Sequence, residues 1–483
     1  MNNILIEING GRDNMKFNNA VDSMKEDIIR TTQELIRFKS VEEAPEPGAP
    51  FGKPMRQCLD RALEMCEELG FTTKNIDGYA GHAEFGEGEE IVGILVHVDV
   101  VPEGSGWSVD PYGGQVIDGK LFGRGSIDDK GPAAAAMYAL KAVKDSGEKF
   151  NKRVRIIFGC DEESGRWDCM KHYFQSEEMP SCGFSPDADF PIINSEMGIT
   201  IFNLSKEFKQ NDSTSYTGIK INHIKGGNRP NMVPDYCECE LEVQKDFEES
   251  FRETVESMKT DHSADIRVEA KGSVYIVKSY GISAHGSTPD KGLNAVSQLI
   301  SLLEKLSLND DEKSSFIRFM ASSIGMETDG ESFGLYMRDD VSGKLVFNLG
   351  VFELTEKAAT ATVNVRYPVT KTRDEVYDII QKKSRDAGID YNEVTGKAPL
   401  YVPADNPLVQ KLSAVYKRAT GEEATLISIG GGTYSRAIKN AVAFGPLFPG
   451  QLELAHQKDE YIGIEELIKC TQIYADAISE LIK

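Results

Sequence analysis

The sequence predicts an α/β protein whose mostly parallel sheet is interrupted by a duplicated α+β insert of ferredoxin-like pattern. A nearly continuous β-branched run at residues 91–98 marks a strand buried on both faces, and residues 153–160 read as the next buried strand. Segments of helical period alternate with them, as parallel strands require. After residue 198 the pattern changes to alternating strands, and near residue 399 the earlier style returns. The expected organisation is therefore a first domain part over residues 15–197, an insert over 198–398 and a second domain part over 399–483.

Each element has a local reason. Residues 22–38 place Ile28, Ile29, Leu35 and Ile36 at helical spacing, and residues 55–69 do the same. Residues 71–76 and 83–85 read as short strands ahead of the buried run at 91–98. Pro132 opens an alanine-rich helix to Val143, where a missing N–H leaves no bond unmade. In the insert, strands at 215–221, 236–243, 266–270 and 274–279 accompany a helix at 247–258. A second set has strands at 344–349, 359–367 and 389–394 with a helix at 373–383, and a helix over 292–306 lies between the sets. The last segment holds a helix at 408–418, a strand at 424–429, a Gly430-Gly-Gly-Thr433 turn and a helix at 464–481.

Composition bounds the function. A chain of 483 residues, 40% hydrophobic and 27% charged, has the make-up of an ordinary globular protein of two or three domain-sized units. Its net charge of -23 argues against nucleic acid and against an anionic membrane surface as partners. No apolar run approaches the ~20 residues that span a bilayer. Residues 4–8 are apolar but include Glu7 and lack the flanks of a signal peptide. The eight cysteines (58, 66, 160, 169, 182, 237, 239 and 470) form no C-x-x-C pair and read as reduced thiols of a cytoplasmic protein.

Three segments within 70 residues carry the chemistry: Leu95-Val-His97-Val-Asp99-Val-Val-Pro102, Gly123-Arg-Gly-Ser-Ile-Asp128-Asp129-Lys-Gly-Pro132 and Phe158-Gly-Cys-Asp161-Glu162-Glu163-Ser-Gly165. Each sets a His or carboxylates at a strand end or in a glycine-bounded turn, where a doubly wound sheet presents its ligand site. An imidazole among several carboxylates suits a divalent metal, with zinc the first choice. His97 and Asp99 leave one face of a strand, so Asp99 is either a ligand or the partner that orients the imidazole. Gly123-x-Gly125 lacks the third glycine of a dinucleotide loop, and Asp128 and Asp129 would repel a pyrophosphate. Asp187 and Asp189 offer a further carboxylate, and His456 is the histidine of the last segment. His285, in a Ser/Gly/Pro loop of the insert, is a functional candidate. His82, His172, His223 and His262 have no partnered motif and read as ordinary polar residues.

Together these segments resemble the dinuclear-zinc metallopeptidases that include carnosinases, aminoacylases, desuccinylases and glutamate carboxypeptidases. Within them the chain is most similar to bacterial Xaa-His dipeptidases of the peptidase V type. Pro186-Asp-Ala-Asp-Phe-Pro191, Asn231-Met-Val-Pro-Asp235 and Gly430-Gly-Gly-Thr-Tyr434 add to the likeness. The resemblance implies two Zn2+ per chain, with Mn2+ or Co2+ as substitutes. It implies Asp128 as the bridge, His97 and Asp187 on one metal, and Glu163 and His456 on the other. Asp99 would orient His97, and Glu162 would be the general base towards a metal-bridging water. The insert would be a lid, with Asn231, His285 and Arg366 reaching the substrate and His285 serving the oxyanion. Gly432 and Thr433 would also line the substrate.

The implied reaction is hydrolysis of unblocked dipeptides by a monomer. A related amidohydrolase of N-acyl amino acids, or a metal-binding protein without catalysis, are the alternatives. Residues 1–14 have no match in the resemblance, and Met15-Lys-Phe leads into the first helix, so Met15 is the expected start. The alternative is an N-terminal strand with Ile4, Ile6 and Ile8 on one face.

Overall fold

Every residue of the strand Ile91–His97 is buried, as the nearly continuous apolar run of a parallel strand requires. This strand lies parallel to Arg153–Gly159 on one side and to Cys182–Ser185 on the other. The computed structural model describes residues 15–209, 216–261 and 264–483. The expectations for residues 1–14 and for His262 therefore lie outside the described residues. Backbone contacts divide the chain into two units. One holds the residues up to Ser195 with Leu400–Ser428 and Gly432–Lys483, and the other holds Glu196–Pro399 with Ile429–Gly431.

The first unit contains a nine-stranded sheet in the order Thr72–Ile76, Ala80–Phe85, Arg153–Gly159, Ile91–His97, Cys182–Ser185, Ala441–Ala443, Ile192–Glu196 and Leu400–Tyr401, with Leu426–Ile429 also on Ile192–Glu196. The sheet is mixed. Its parallel pairs join Arg153–Gly159, Ile91–His97, Cys182–Ser185 and Ala441–Ala443, while Thr72–Ile76 and Ala80–Phe85 run antiparallel at one edge. Gly93 and Gly183 face each other in register. A Cβ on Gly183 would stand 2.1 Å from the Gly93 carbonyl oxygen, so the parallel strands approach only because no side chain is there.

The alanine-rich helix runs Lys130–Asp145 and starts two residues before Pro132, which still falls in the first turn. It is buried almost all round and packs against the last helix, Ile464–Leu481. A single apolar core, including Val96, Phe158, Leu140 and Ile478, fills this unit.

The second unit is an eight-stranded antiparallel sheet with its own core, including Phe202, Leu299 and Val363. Its order is Asp265–Lys271, Val274–Tyr280, Tyr236–Val243, Ile219–Gly226, Val346–Leu354, Ala358–Tyr367, Gly198–Glu207 and Asp390–Lys397. The order is palindromic: each half repeats one four-strand pattern, the first half in circularly permuted chain order. The halves join edge to edge where Ile224, Lys225 and Gly226 pair with Leu354, Glu353 and Phe352.

Ile429–Gly431 groups with the second unit although the sequence places all of 399–483 in the first. The reason is local. Met197 N–H bonds the Ile429 carbonyl at 2.9 Å, and Gly430 lies so near Ser287 that a Cβ would come within 2.7 Å of it.

Candidate metal centre

In the first unit the chain leaves Ile91–His97, returns on one side as Arg153–Gly159, then crosses to the other side as Cys182–Ser185. This reversal of direction opens a crevice at the carboxyl ends of the strands. His97 ends the first of these strands, Glu162 and Glu163 follow the second, and Asp187 follows the third. Asp128 comes from the turn before the helix at Lys130, and its peptide to Asp129 is cis. His456 comes from the loop after Pro446–Leu447, with a left-handed φ of 65°.

These side chains form two groups whose ligand atoms lie within 4.8 Å of one another: His97, Glu162 and Asp187, and Asp128, Glu163 and His456. Asp128 faces both histidines. Its Oδ1 is 3.0 Å from His97 Nε2 and its Oδ2 is 3.1 Å from His456 Nε2. Asp187 Oδ1 stands 3.7 Å from His97 Nε2, and Glu163 Oε2 stands 2.9 Å from His456 Nε2. Asp189 instead belongs to a short strand paired with Pro446–Leu447. Glu162 is within ligand reach of its group, where the resemblance has it free of metal.

The electrostatics are those of anionic donors crowded together. Burial and the nearby Asp128 push Asp187 up to about 6 and Glu163 up to about 7. Burial and Asp187 hold the Glu162 carboxyl well above the usual range. Burial opposes charge on His456, but Asp128 and Glu163 outweigh it and raise the imidazole to about 11. Burial opposes charge on His97 too, and Asp99, Asp128 and Asp187 outweigh it. Asp128 is held well below the usual carboxylate range, because its two imidazole partners outweigh its burial.

His97 Nε2 is buried with only carboxylate oxygens of Asp128 and Asp187 facing it, and Glu163 Oε1 is buried with no hydrogen-bond partner. Donors of this kind, imidazole nitrogen and carboxylate oxygen around unsatisfied buried atoms, fit Zn2+, Mn2+ or Co2+. No cysteine belongs to either group.

Neighbouring residues fix the donors. His97 Nδ1 is 3.0 Å from the Asp99 carbonyl oxygen and 3.4 Å from its carboxylate, so Nδ1–H donates and Nε2 points to the crevice. The Asp99 carboxylate also accepts from Glu163 N–H at 2.9 Å. Asp129 does not cap its helix; it accepts from His97 N–H at 3.1 Å. Sequence reasoning missed three further residues. Arg124 and Glu460 form a buried ion pair at 2.6 Å beside Asp128. Tyr434 is buried edge-on to His97, with its hydroxyl accepting from Asp161 N–H at 3.3 Å. The arginine of the glycine turn and the aromatic after Gly-Gly-Gly-Thr were the available signals.

In the second unit His285 and Asn231 are neighbours, with Gly286 N–H donating to the Asn231 carbonyl at 2.7 Å. His285 Nδ1 accepts from Ser287 N–H at 3.3 Å and lies 2.6 Å from Ser287 Oγ. In the neutral ring this leaves the proton on Nε2, a donor. Arg366 is buried in the strand Ala358–Tyr367, in register with Ile199 and Val346. In the first unit Thr433 accepts from Ser435 N–H at 3.2 Å, and Gly432 lies against the Arg436 guanidinium.

The remaining histidines are elsewhere. His82 is buried against the Tyr173 hydroxyl at 2.8 Å, His172 stacks on Tyr79, and His223 is exposed on a strand.

The chain is 43% identical over 474 residues to the Bacillus subtilis protein named "Putative dipeptidase YtjP", covering 97% of this chain and 100% of that one. A similarly named Staphylococcus aureus N315 relative is 35% identical over 467 residues, covering 95% and 98%. The fold resembles human carnosine dipeptidase 1, with a TM-score of 0.57 at 15% identity over 97% of this chain and 98% of the other. It also resembles the aminoacylhistidine dipeptidase of Vibrio alginolyticus, with a TM-score of 0.56 at 13% identity over 94% and 95%. The sequence pattern of Peptidase family M20/M25/M40 matches residues 93–480, and the chain belongs to that family.

Proposed function

We propose that this protein is a zinc-dependent dipeptidase of the peptidase V type, cleaving unblocked dipeptides of the Xaa-His or β-Ala-His kind. The observation that carries the reading is Asp128, whose two carboxylate oxygens each face a histidine at about 3 Å, with a further carboxylate beside each. His97 and Asp187 would hold one ion, Glu163 and His456 the other, and Asp128 both. When bound, such ions supply an acidified water and a polarised scissile carbonyl. Glu162 accepts the proton of the attacking water and delivers it to the departing amine. Asp99 keeps His97 in the tautomer that presents Nε2. His285 serves the substrate carbonyl oxygen through Nε2–H. The planar fork of Arg366 suits a substrate carboxylate, and Asn231, Gly432 and Thr433 complete the substrate contacts.

The dipeptidase names of the relatives at 43% and 35% identity support a peptide substrate. The palindromic sheet supports a monomer, because an edge that could pair with a second copy is already paired within the chain. Among the described residues no helix is long and apolar enough to cross a membrane, which is compatible with the cytoplasmic placement we propose.

The test is metal content with a substrate screen. Two zinc ions per chain and turnover of unblocked dipeptides, but not of N-acetyl or N-succinyl amino acids, are expected. Turnover of the N-acyl compounds alone would make the protein an amidohydrolase, and two bound metals without any hydrolysis would make it a binding protein.

A further inference from the structure

The side chains of Arg124 and Glu460 are 2% and 0% exposed, and their ion pair is the most deeply buried pairing of an arginine with a carboxylate among the described residues. A buried pair of this kind is a weak source of stability, because desolvation offsets its attraction. Its other bonds show where it acts. Glu460 Oε2 accepts from Arg124 Nη1 at 2.6 Å, while Oε1 accepts from the main-chain N–H groups of Ile127 at 3.1 Å and Asp128 at 3.4 Å. Arg124 Nη2 donates to the His456 carbonyl at 3.2 Å. Gly123 N–H closes the arrangement on the Glu460 carbonyl at 2.9 Å.

The pair thus holds the main chain at Asp128 on one side and at His456 on the other, 328 residues apart in sequence. His456 needs such a hold, since its φ of 65° lies in the left-handed region that residues other than glycine rarely adopt. Asp128 and His456 are donors of one group, with Oδ2 and Nε2 3.1 Å apart. Neither Arg124 nor Glu460 is in a ligand group itself.

We infer that Arg124 and Glu460 are positioning residues: one buried clamp that sets the spacing of the Asp128 and His456 donors and thereby, above all, the affinity of the metal position that both of them serve. The inference rests on the two-metal reading above. The clamp reaches the His97–Asp187 side only through the shared donor Asp128, so that position should feel its loss less.

The test uses the full chain, stripped of metal by chelation and titrated with Zn2+ in a calorimeter. Wild-type protein should take two ions. Arg124→Met combined with Glu460→Gln removes both charges while keeping an acceptor for the Ile127 and Asp128 amides. It should weaken the Glu163–His456 site about 10- to 100-fold, the usual effect of losing a residue that orients ligands, and the His97–Asp187 site clearly less. The thermal midpoint of the metal-free protein should stay unchanged, and excess Zn2+ should restore kcat.

Two sites of wild-type affinity in the double variant would overturn the clamp. So would equal weakening of both sites with a lowered metal-free midpoint, which is what a merely structural pair would give. If the double variant does not fold, Arg124→Lys decides. It keeps the charge opposite Glu460 but lacks the fork that reaches His456, so it must show the same selective loss. A wild-type chain that fails to take two ions would instead defeat the two-metal reading, and the clamp with it.

Discussion

Glu162 and Glu163 are adjacent and chemically identical, yet their carboxylates fall into different ligand groups because neighbouring residues at a strand end point different ways. Glu162→Gln should retain two metal ions and lose about 10²- to 10⁴-fold in kcat, the usual share of a general base. Glu163→Gln should weaken one ion and recover part of its activity in excess zinc. Metal analysis and kinetics that failed to separate the two variants would refute the division of labour. A second residue-scale prediction concerns His82, whose burial and neighbouring Arg155 lower its imidazole to about 3. Its unfolded value is near 6.5, so the unfolded chain binds the extra proton between these limits. Stability from this group is therefore complete above pH 6.5 and is lost as pH falls towards 3, by at most about 1.4 kcal/mol per unit. His82→Gln should flatten that slope in urea unfolding of metal-free protein between pH 7 and 5; an unchanged slope would assign the loss to other groups. The proposed donors His97, Asp128 and Glu163 were readable because each stands in a short chemical motif, whereas the role of His456 came with the resemblance. Glu460 was not, because nothing local distinguishes a glutamate whose importance comes from an arginine 336 residues away.

At the scale of elements, the buried parallel strands were legible where apolar residues ran together, as in the β-branched run of Ile91–His97 and around Ile156, Ile157 and Phe158 of Arg153–Gly159. Gly198–Glu207 was missed, although it is central to half of the second sheet. Ile199 and Ile201 lie half-buried on one face and Phe202 and Leu204 buried on the other, which blurs the period of two. The helix Glu312–Ser323 was missed for a related reason: two serine pairs dilute its apolar stripe, and its clearest signal is the cap from Asp311 to Ser314 N–H. Short strands such as Cys182–Ser185 and Ala441–Ala443 are too brief to show any period. The first of these repays attention, since it carries the chain to Asp187. Gly183→Ala would set a Cβ against the Gly93 carbonyl of the neighbouring strand, where a hydrogen-bonded backbone cannot retreat. We expect a loss of about 3 kcal/mol from overpacking, read from denaturant midpoints. Weaker metal binding should accompany it, because relief of the clash moves the strand that delivers Asp187. A stability change below about 1 kcal/mol would show that the strands separate more easily than their register implies.

For the molecule as a whole, the five proposed ligands come from both sequence segments of one unit: His97, Asp128, Glu163 and Asp187 before the insert, and His456 after it. The insert has a separate apolar core and supplies none of them. Ions that bind only the folded first unit stabilise it by mass action, about 4 kcal/mol per site when free metal is a thousandfold above its dissociation constant. That energy falls on the cooperative unit whose ligands must be assembled, and it joins the first and last segments of the chain across a long insertion. Chelation should therefore speed amide exchange in Ile91–His97, in Arg153–Gly159 and in the last helix, Ile464–Leu481, which packs on Lys130–Asp145 beside the Asp128 turn. Exchange in Tyr236–Val243 and in Ala358–Tyr367, strands within the second core, should stay at its metal-loaded rate. Hydrogen-exchange mass spectrometry with and without chelator makes the comparison peptide by peptide. Equal acceleration in both sets of strands would mean that the metals stabilise the chain as one cooperative body, and the assignment of their binding energy to the first unit would fall.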